Sequence, residues 1–234
     1  MSEWAPKRFW QKAEIVPKGD QYAILLDGRP VRTPSKRQLV VPTQTMATRI
    51  ATEWEAQVER VDPATMPWTR SANSALDKVP DQRREVESHL KEYADTDLLV
   101  YRAEGPSELV KRQAKAWDPI LKWIKAEFDV RMATTHGVMP VKQDLSNINS
   151  LARLMTPMSH FELTGFHDLV TISGSYILAI AVAKKEVESE AGWALSRIDE
   201  EWQIEQWGFD EEAAEQAMAK KVAFFHASDF FDCA

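Results

Sequence analysis

Two aspartates in the stretch YADTDLLVYR, Tyr93–Arg102, have a type and spacing that could support acid–base chemistry. Asp95 and Asp97 lie two residues apart, and two carboxylates with different pKa values can act as general acid and general base. Perturbed carboxylates are also common in purely structural networks. We therefore favour a structural interpretation, in which an aspartate caps a turn and pairs with Arg102, and keep a carboxylate enzyme as the alternative.

The other residue types that usually carry chemistry occur without a catalytic pattern. The eight glycines form neither GxGxxG nor GxxxxGK[ST], so the sequence lacks both nucleotide-binding fingerprints. The five histidines include no HExxH motif and no pair four residues apart, Cys233 is the only thiol, and no GxSxG motif is present. The sequence predicts no catalytic residue, no metal, no cofactor and no small-molecule substrate, which favours a protein that is not an enzyme.

Charge is distributed unevenly along the 234 residues. The chain has 29 Lys and Arg against 36 Asp and Glu, a formal net charge of −7, and so lacks the basic footprint that nucleic-acid binding requires. Residues 186–234 alone hold three basic and thirteen acidic side chains. Such an excess is usually a solvated helix face, but it can also steer a protein partner into place.

The densest part of this acidic region is SRIDEEWQIEQWG, Ser196–Gly208. Helical spacing places Leu195, Ile198 and Trp202 on one face, while Ile204 and Trp207 project away from it. Four of the remaining positions are acidic: Asp199, Glu200, Glu201 and Glu205. The segment is either an amphipathic helix packed on a core or a surface that binds another protein, since Trp is enriched at interface hot spots.

The first forty residues carry the patterns of β-strands. In Tyr22–Thr33, Asp27-Gly28 separates two alternating runs, as a type I′ hairpin requires. Lys12–Val16 and Gln38–Val41 are two further predicted strands. From Thr43 the period becomes helical, with an apolar stripe that predicts a helix reaching Val61 before Pro63.

Helical periodicity dominates the rest of the chain. The predicted helices are 81–93, 107–128, 143–161 with a break at Pro157, a central apolar helix 164–185, 189–206 and 211–225. The longest apolar run without a charge, Leu169–Ala183, is 15 residues long and shorter than the roughly 20 that a membrane span needs, so no membrane insertion is expected.

The fold class predicted from these patterns is α+β, with a small N-terminal antiparallel β domain followed by a larger multihelical domain. We place the β domain and its trailing helix at residues 1–61. A proline-containing linker follows at residues 62–80, and the helical domain occupies residues 81–234.

Several short motifs, in order over nearly the whole chain, resemble one family. They are RFW (8–10), LDGRPVRTP (26–34), LVVPT (39–43), EWEAQ (53–57), DPATMPWTR (62–70), TDLLVYR (96–102), WDP (117–119) and EEWQIEQWG (200–208). Together they resemble the assembly chaperones of the F-type ATP synthase catalytic head that act on its α subunit.

The resemblance implies a non-enzymatic chaperone that binds the unassembled α subunit, covers the surface later presented to β, and is displaced as the head assembles. It implies the same α+β fold. Mitochondrial members carry an import presequence, whereas this chain starts close to its RFW motif and is similar to a bacterial, cytoplasmic member. The family also implies an acidic position in the late helix, either Glu201 or Glu200.

The resulting hypothesis for the partner-binding residues consists of Glu200, Glu201, Trp202, Glu205 and Trp207. Two alternatives remain. One is an enzyme with a carboxylate site that leaves no motif, and the other is an interaction module with a different protein client.

Overall fold

The computed structural model describes residues 7–137 and 139–234. The chain forms two compact units. The first, here called the sheet unit, comprises the residues up to Arg83 together with Ser159–Gly165 and Asp229–Ala234. The second, the helical unit, comprises Arg84–Met158 and Phe166–Ser228. The domain limits drawn from the sequence remain predictions.

The sheet unit is built around one antiparallel sheet, and the predicted α+β class is confirmed. Its strands are β1 (Ala13–Lys18), β2 (Gln21–Leu26), β3 (Arg29–Pro30) and β4 (Val40–Val41). β2 pairs antiparallel with each of the other three. The apolar core of the unit includes Ile24, Leu39, Met46, Ile50 and Phe230.

The predicted hairpin at Asp27-Gly28 is confirmed. Both residues have positive φ angles, 47° and 76°, as a type I′ turn requires, and the flanking residues Leu26 and Arg29 pair across it. The Asp27 carboxylate also accepts hydrogen bonds from the backbone N–H groups of Gln11 and Lys12, at 2.9–3.1 Å. One aspartate thereby supplies the turn and anchors the chain entering β1.

Helix α1 (Gln44–Glu55) begins where the sequence predicts, because the Thr43 hydroxyl accepts the N–H of Met46. Its predicted extension to Val61 is wrong. The buried Gln57 side chain turns the backbone away: its amide donates to the Glu53 carbonyl at 3.1 Å and accepts from the Asp62 N–H at 2.6 Å.

A 3-10 turn (Pro63–Thr65) and helix α2 (Pro67–Asp77) follow α1. The start of α2 is held by Glu53, whose buried carboxylate accepts the N–H groups of Trp68 and Thr69 at 2.6 and 2.8 Å. The Thr69 hydroxyl donates to the same carboxylate at 2.7 Å. An acid from α1 thus satisfies backbone donors that a helix start leaves unpaired.

The remaining helices confirm the predicted helical character of the later part of the chain. They are α3 (Val79–Asp95), α4 (Ser107–Phe128), α5 (Leu145–Arg153), α6 (His160–Ser173), α7 (Tyr176–Ala183), α8 (Ser189–Ser196), α9 (Ile198–Trp207) and α10 (Glu211–Asp232). Two short strands, β5 (Tyr101–Arg102) and β6 (Thr135–His136), pair in parallel. The break expected at Pro157 lies between α5 and α6. None of the described helices is long and apolar enough to cross a bilayer.

The predicted central helix 164–185 is in fact two helices, and the single-helix prediction is wrong. Gly174 adopts a φ of 72°, and the hydroxyl of Ser175 caps α7 by accepting the Leu178 N–H at 2.9 Å. The same hydroxyl donates to the buried Asp97 carboxylate at 2.8 Å. The apolar residues themselves behave as expected, since Leu169 and Ile177 are fully buried.

The single helix predicted over 189–206 is also wrong, because α8 ends at Ser196 and α9 starts at Ile198. The end of α8 is held by Trp117, whose indole N–H donates to the Leu195 carbonyl at 2.8 Å. Leu195 therefore does not share one continuous helix face with Ile198 and Trp202. In contrast, α10 continues to Asp232, beyond the predicted end at Phe225.

Candidate functional site

Helix α9 carries all five residues of the partner-binding hypothesis. Its first turn holds Asp199, Glu200 and Glu201, which the positive end of the helix dipole favours. Only Ile198 is buried, and Gly208 ends the helix with a φ of 95° and an N–H donated to the Ile204 carbonyl. Most of the helix surface is therefore available to solvent.

Helix α4 holds α9 through two neighbouring side chains. The Arg112 guanidinium donates two hydrogen bonds to the Glu205 carboxylate, at 2.8 and 2.7 Å, and lies 5.0 Å from the centre of the Trp202 ring. The Gln113 amide donates to the Asp199 carboxylate at 2.6 Å. Hydrogen bonding from Arg112 also lowers the pKa of Glu205 below its usual value. The orientation of α9 is thus fixed from within the helical unit.

The five predicted residues differ in how they are already engaged. Glu200 forms an ion pair with Arg197 at 3.0 Å, Glu205 is paired with Arg112, and Trp202 is half-buried beneath that arginine. Glu201 is exposed, and among the described residues its side chain forms no hydrogen bond or ion pair. Trp207 is 80% exposed. Glu201 and Trp207 are therefore the members of the set that are most accessible to a partner.

Two open grooves flank α9, and the sequence analysis identified neither. One, of about 540 Å³, lies between α9 and the segment from Tyr101 to Leu109. The other, of about 350 Å³, lies between α9 and α10. Both are lined by Gln203 and Trp207. The walls of the larger groove come from segments about a hundred residues apart, and those of the smaller groove come from two consecutive helices. No local sequence pattern indicates which segments will form a groove together.

Further exposed apolar side chains lie close in sequence to the end of α9. Phe209 is 70% exposed, and on α10 Met218 and Val222 are 59% and 61% exposed. Several large apolar side chains that are exposed near one another mark an interaction surface more often than a single exposed apolar side chain does.

Asp95 and Asp97 do not form an acid–base pair. Asp95 is exposed, whereas Asp97 is fully buried and its carboxylate accepts the N–H groups of Leu99 and Ile177 at 3.0 and 2.9 Å. Burial raises the pKa of Asp97 to about 6. The predicted turn-capping role of an aspartate here is confirmed.

The predicted pairing of these aspartates with Arg102 is wrong. The Arg102 guanidinium lies 3.0 Å from Asp118 of α4 and 5.2 Å from the centre of the Trp117 ring, and its Nε donates to the Leu99 carbonyl at 2.8 Å. Within residues 7–137 and 139–234, no three His, Cys, Asp or Glu side chains cluster as a metal site would require.

The fold and the exposed surface of α9 indicate a class, that of proteins which bind other proteins, since exposed Trp beside dense charge is typical of protein interfaces. Sequence comparison gives the family. The profile of the ATP12 chaperone protein family matches residues 7–125. The chain therefore belongs to this family and is an ATP synthase assembly chaperone.

Similar proteins support this assignment along almost the whole chain. Atp12 from Paracoccus denitrificans has a crystal structure with a TM-score of 0.93, 45% identity and coverage of 99% of both chains. A lysine-for-aspartate variant of the P. denitrificans protein gives a TM-score of 0.94 at the same identity and coverage. The mitochondrial protein atp12 of Schizosaccharomyces pombe is 25% identical over 221 residues, 89% of this chain and 76% of the relative.

Proposed function

We propose that this protein binds the unassembled α subunit of the F-type ATP synthase and thereby promotes assembly of the catalytic head. Membership of the ATP12 chaperone family supports the process, and the sequence motifs support the α subunit as the client. The observation that carries the binding surface is α9, on which Trp207 is 80% exposed and Glu201 is exposed and unpaired.

Binding alone is sufficient for such a role, and no catalytic step is part of the proposal. An unassembled subunit exposes the apolar surface that it later buries against its neighbour, and such surfaces aggregate at micromolar concentrations. A chaperone that covers this surface protects the subunit until β competes for it. Trp207 supplies apolar contact area, while the acidic residues of α9 accelerate encounter with a basic surface.

We place this activity in the bacterial cytoplasm. The solved relative from P. denitrificans, which is 45% identical, supports a bacterial origin. The fission yeast relative is named as a mitochondrial protein. In either setting the client would meet the chaperone before it is incorporated into the synthase.

Reversal of the charge at Glu201 tests the proposed surface. We expect Glu201→Lys to weaken binding to isolated α subunit at least tenfold, because a lysine would face the basic client surface that the glutamate attracts. The melting temperature should fall by no more than about 4 °C, because reversal of one exposed charge in the first turn of α9 costs about 1 kcal/mol through the helix dipole. Affinity is measured by titration calorimetry at two salt concentrations, and the wild-type advantage should shrink at the higher one.

Glu127→Lys is the matched control. Glu127 is an exposed glutamate of α4, about 27 Å along that helix from Leu109, so the variant carries the same charge change away from the α9 surface. Its affinity for α should stay within twofold of wild type. Equal affinity of wild type and Glu201→Lys at low salt would remove Glu201 from the site, and failure of the wild type to bind α would refute the proposed client.

A further inference from the structure

The larger of the two grooves beside α9 is formed entirely by residues of the helical unit. Its volume is about 540 Å³. One wall is formed by Tyr101 of β5, the turn that follows it and the first turn of α4, and the other wall by α9. Its apolar lining consists of Tyr101, Pro106, Leu109, Trp202 and Trp207, together with the alanine and glycine positions between them.

The two walls of this groove are held together by side-chain contacts. Arg112 of α4 binds Glu205 and covers Trp202, and Gln113 of α4 bonds Asp199. Gln113 also accepts the N–H of Ala103 at 2.8 Å, which ties the turn after β5 to the same residue. The groove is therefore formed before any partner arrives, and a preformed site loses less entropy when a ligand binds.

The two charged side chains that line the groove already have partners inside the protein. Arg102 is paired with Asp118, and Asp199 accepts from Gln113. A small polar ligand needs convergent polar groups that are free to bind it, and these two residues do not provide them. What the groove offers instead is apolar and aromatic surface open to solvent, which suits a segment of another protein.

The charge around the groove decides between a second copy of this chain and a different protein. α9, which forms one wall of the groove, belongs to residues 186–234, which hold thirteen acidic against three basic side chains. Its exposed acids Glu200, Glu201 and Glu205 do not line this groove and act on a partner from the rest of the helix surface. A second copy would bring the same acidic helix to the contact, and like charges in apposition oppose association. A partner segment with apolar side chains next to lysine or arginine fits both the apolar lining of the groove and the net negative charge of residues 186–234.

We propose that this groove receives an apolar segment of the α subunit flanked by basic residues, with Trp207 supplying exposed aromatic contact surface at the end of α9. The inference rests on the proposed function for the identity of the client. It adds that the client contacts β5 and the start of α4 as well as α9, so that the binding site is a two-walled groove rather than one helix face.

Two glutamines allow the groove to be blocked with a matched control. Gln206 is exposed and lines this groove, whereas Gln216 is exposed on α10 and lines the smaller groove on the other side of α9. We expect Gln206→Trp to weaken binding to isolated α subunit at least tenfold, and the smaller Gln206→Tyr to have an intermediate effect. Gln216→Trp should stay within twofold of wild type. Melting temperatures within about 2 °C of wild type for all three variants would show that folding is intact.

The possible results separate this groove from the proposed client. If Gln206→Trp binds α as well as wild type does, the groove is not the binding site, although the α subunit remains the proposed client. A loss confined to Gln216→Trp, or equal losses in both tryptophan variants, would also overturn the proposal. If Gln206→Trp does not fold, Gln206→Tyr alone decides, with wild-type affinity as the contradicting result. Absence of α binding by wild type would refute the proposed function itself.

Discussion

A single buried carboxylate, Asp97, joins two parts of the helical unit that are far apart in sequence. It caps the turn at Leu99 and accepts both the Ser175 hydroxyl and the Ile177 N–H at the start of α7. Burial raises its pKa to about 6 despite these three donors, because water no longer solvates the charge. Asp97 therefore holds these two segments together, but burial of its charged form costs free energy, and that cost grows as the pH rises and the carboxylate ionises.

Replacement of Asp97 by asparagine should change the pH dependence of stability. The pKa of Asp97 is about 6 in the folded protein against 3.8 for an aspartate side chain free in water. The folded state therefore binds the proton more tightly, and the resulting stabilisation, about 3 kcal/mol, is present below pH 3.8 and lost as the pH rises through 6. We expect the stability advantage of wild type over Asp97→Asn, measured by urea unfolding, to be larger at pH 4.5 than at pH 7.5.

The result that would contradict this prediction comes from the same comparison of wild type with Asp97→Asn at the two pH values. All other ionisable groups are common to the two proteins, so their contributions cancel when the free energies of unfolding are subtracted. An advantage that is constant between pH 4.5 and 7.5 would show that the pKa of Asp97 is the same in the folded and unfolded states.

Residue-level predictions succeeded where the determinant is local. Thr43 caps α1 and Asp27-Gly28 forms the turn because each depends on its own backbone and the next few residues. The partner of Arg102 was not predictable in this way. Asp118 lies 16 residues further along the chain, in α4, and only the packing of β5 against that helix brings the two together.

At the scale of elements, α7 and α8 approach each other closely at Gly192. A Cβ atom added there would lie 2.6 Å from Cγ2 of Val182 and 3.5 Å from Cζ of Phe224. The Val182 contact is shorter than van der Waals packing permits, and both neighbours are buried. The absence of a side chain is what lets the two helices pack at this distance.

A double-mutant cycle at this contact gives a sharp test of the packing. We expect Gly192→Ala to destabilise the protein by about 1–3 kcal/mol, because overpacking outweighs the gain in helix propensity. Val182→Ala alone should also destabilise, through the loss of buried methyl groups. Since Val182→Ala removes the clashing atom, the free energy of unfolding of the double variant should fall by less than the sum of the two single effects.

Additive effects in urea unfolding would contradict this close approach. They would mean that the two positions do not touch, and that the cost of Gly192→Ala arises from backbone conformation alone.

Helix boundaries show how far periodicity extends. The limits of α4, Ser107–Phe128, follow from its apolar stripe, and the structure has the helix at those residues. The breaks at Gly174 and Arg197 were missed because apolar periodicity continues through both. Each break is fixed by a distant side chain, Asp97 in the first case and Trp117 in the second. Local sequence cannot reveal the helix end at Arg197, which a tertiary hydrogen bond imposes, whereas Gly174 and the capping Ser175 are local signals of the other break.

At the scale of the whole molecule, most of the acidic side chains of residues 186–234 lie in the helical unit, as does the exposed Trp207. Composition predicted the acidic, tryptophan-bearing helix but not the grooves beside it, since the second wall of the larger groove comes from Tyr101–Leu109. The sequence therefore predicts the α9 wall of the candidate site but not the opposite wall. The opposite wall depends on how α4 packs against α9.

Direct binding to separated ATP synthase subunits tests the central claim. Purified protein is mixed with isolated α or isolated β subunit at low micromolar concentration and analysed by size-exclusion chromatography with light scattering. We expect a stable complex with α and none with β, and we expect β added to the preformed complex to release the chaperone, because β competes for the covered surface. Separate elution of the protein and α, or equal binding to both subunits, would contradict the proposed function.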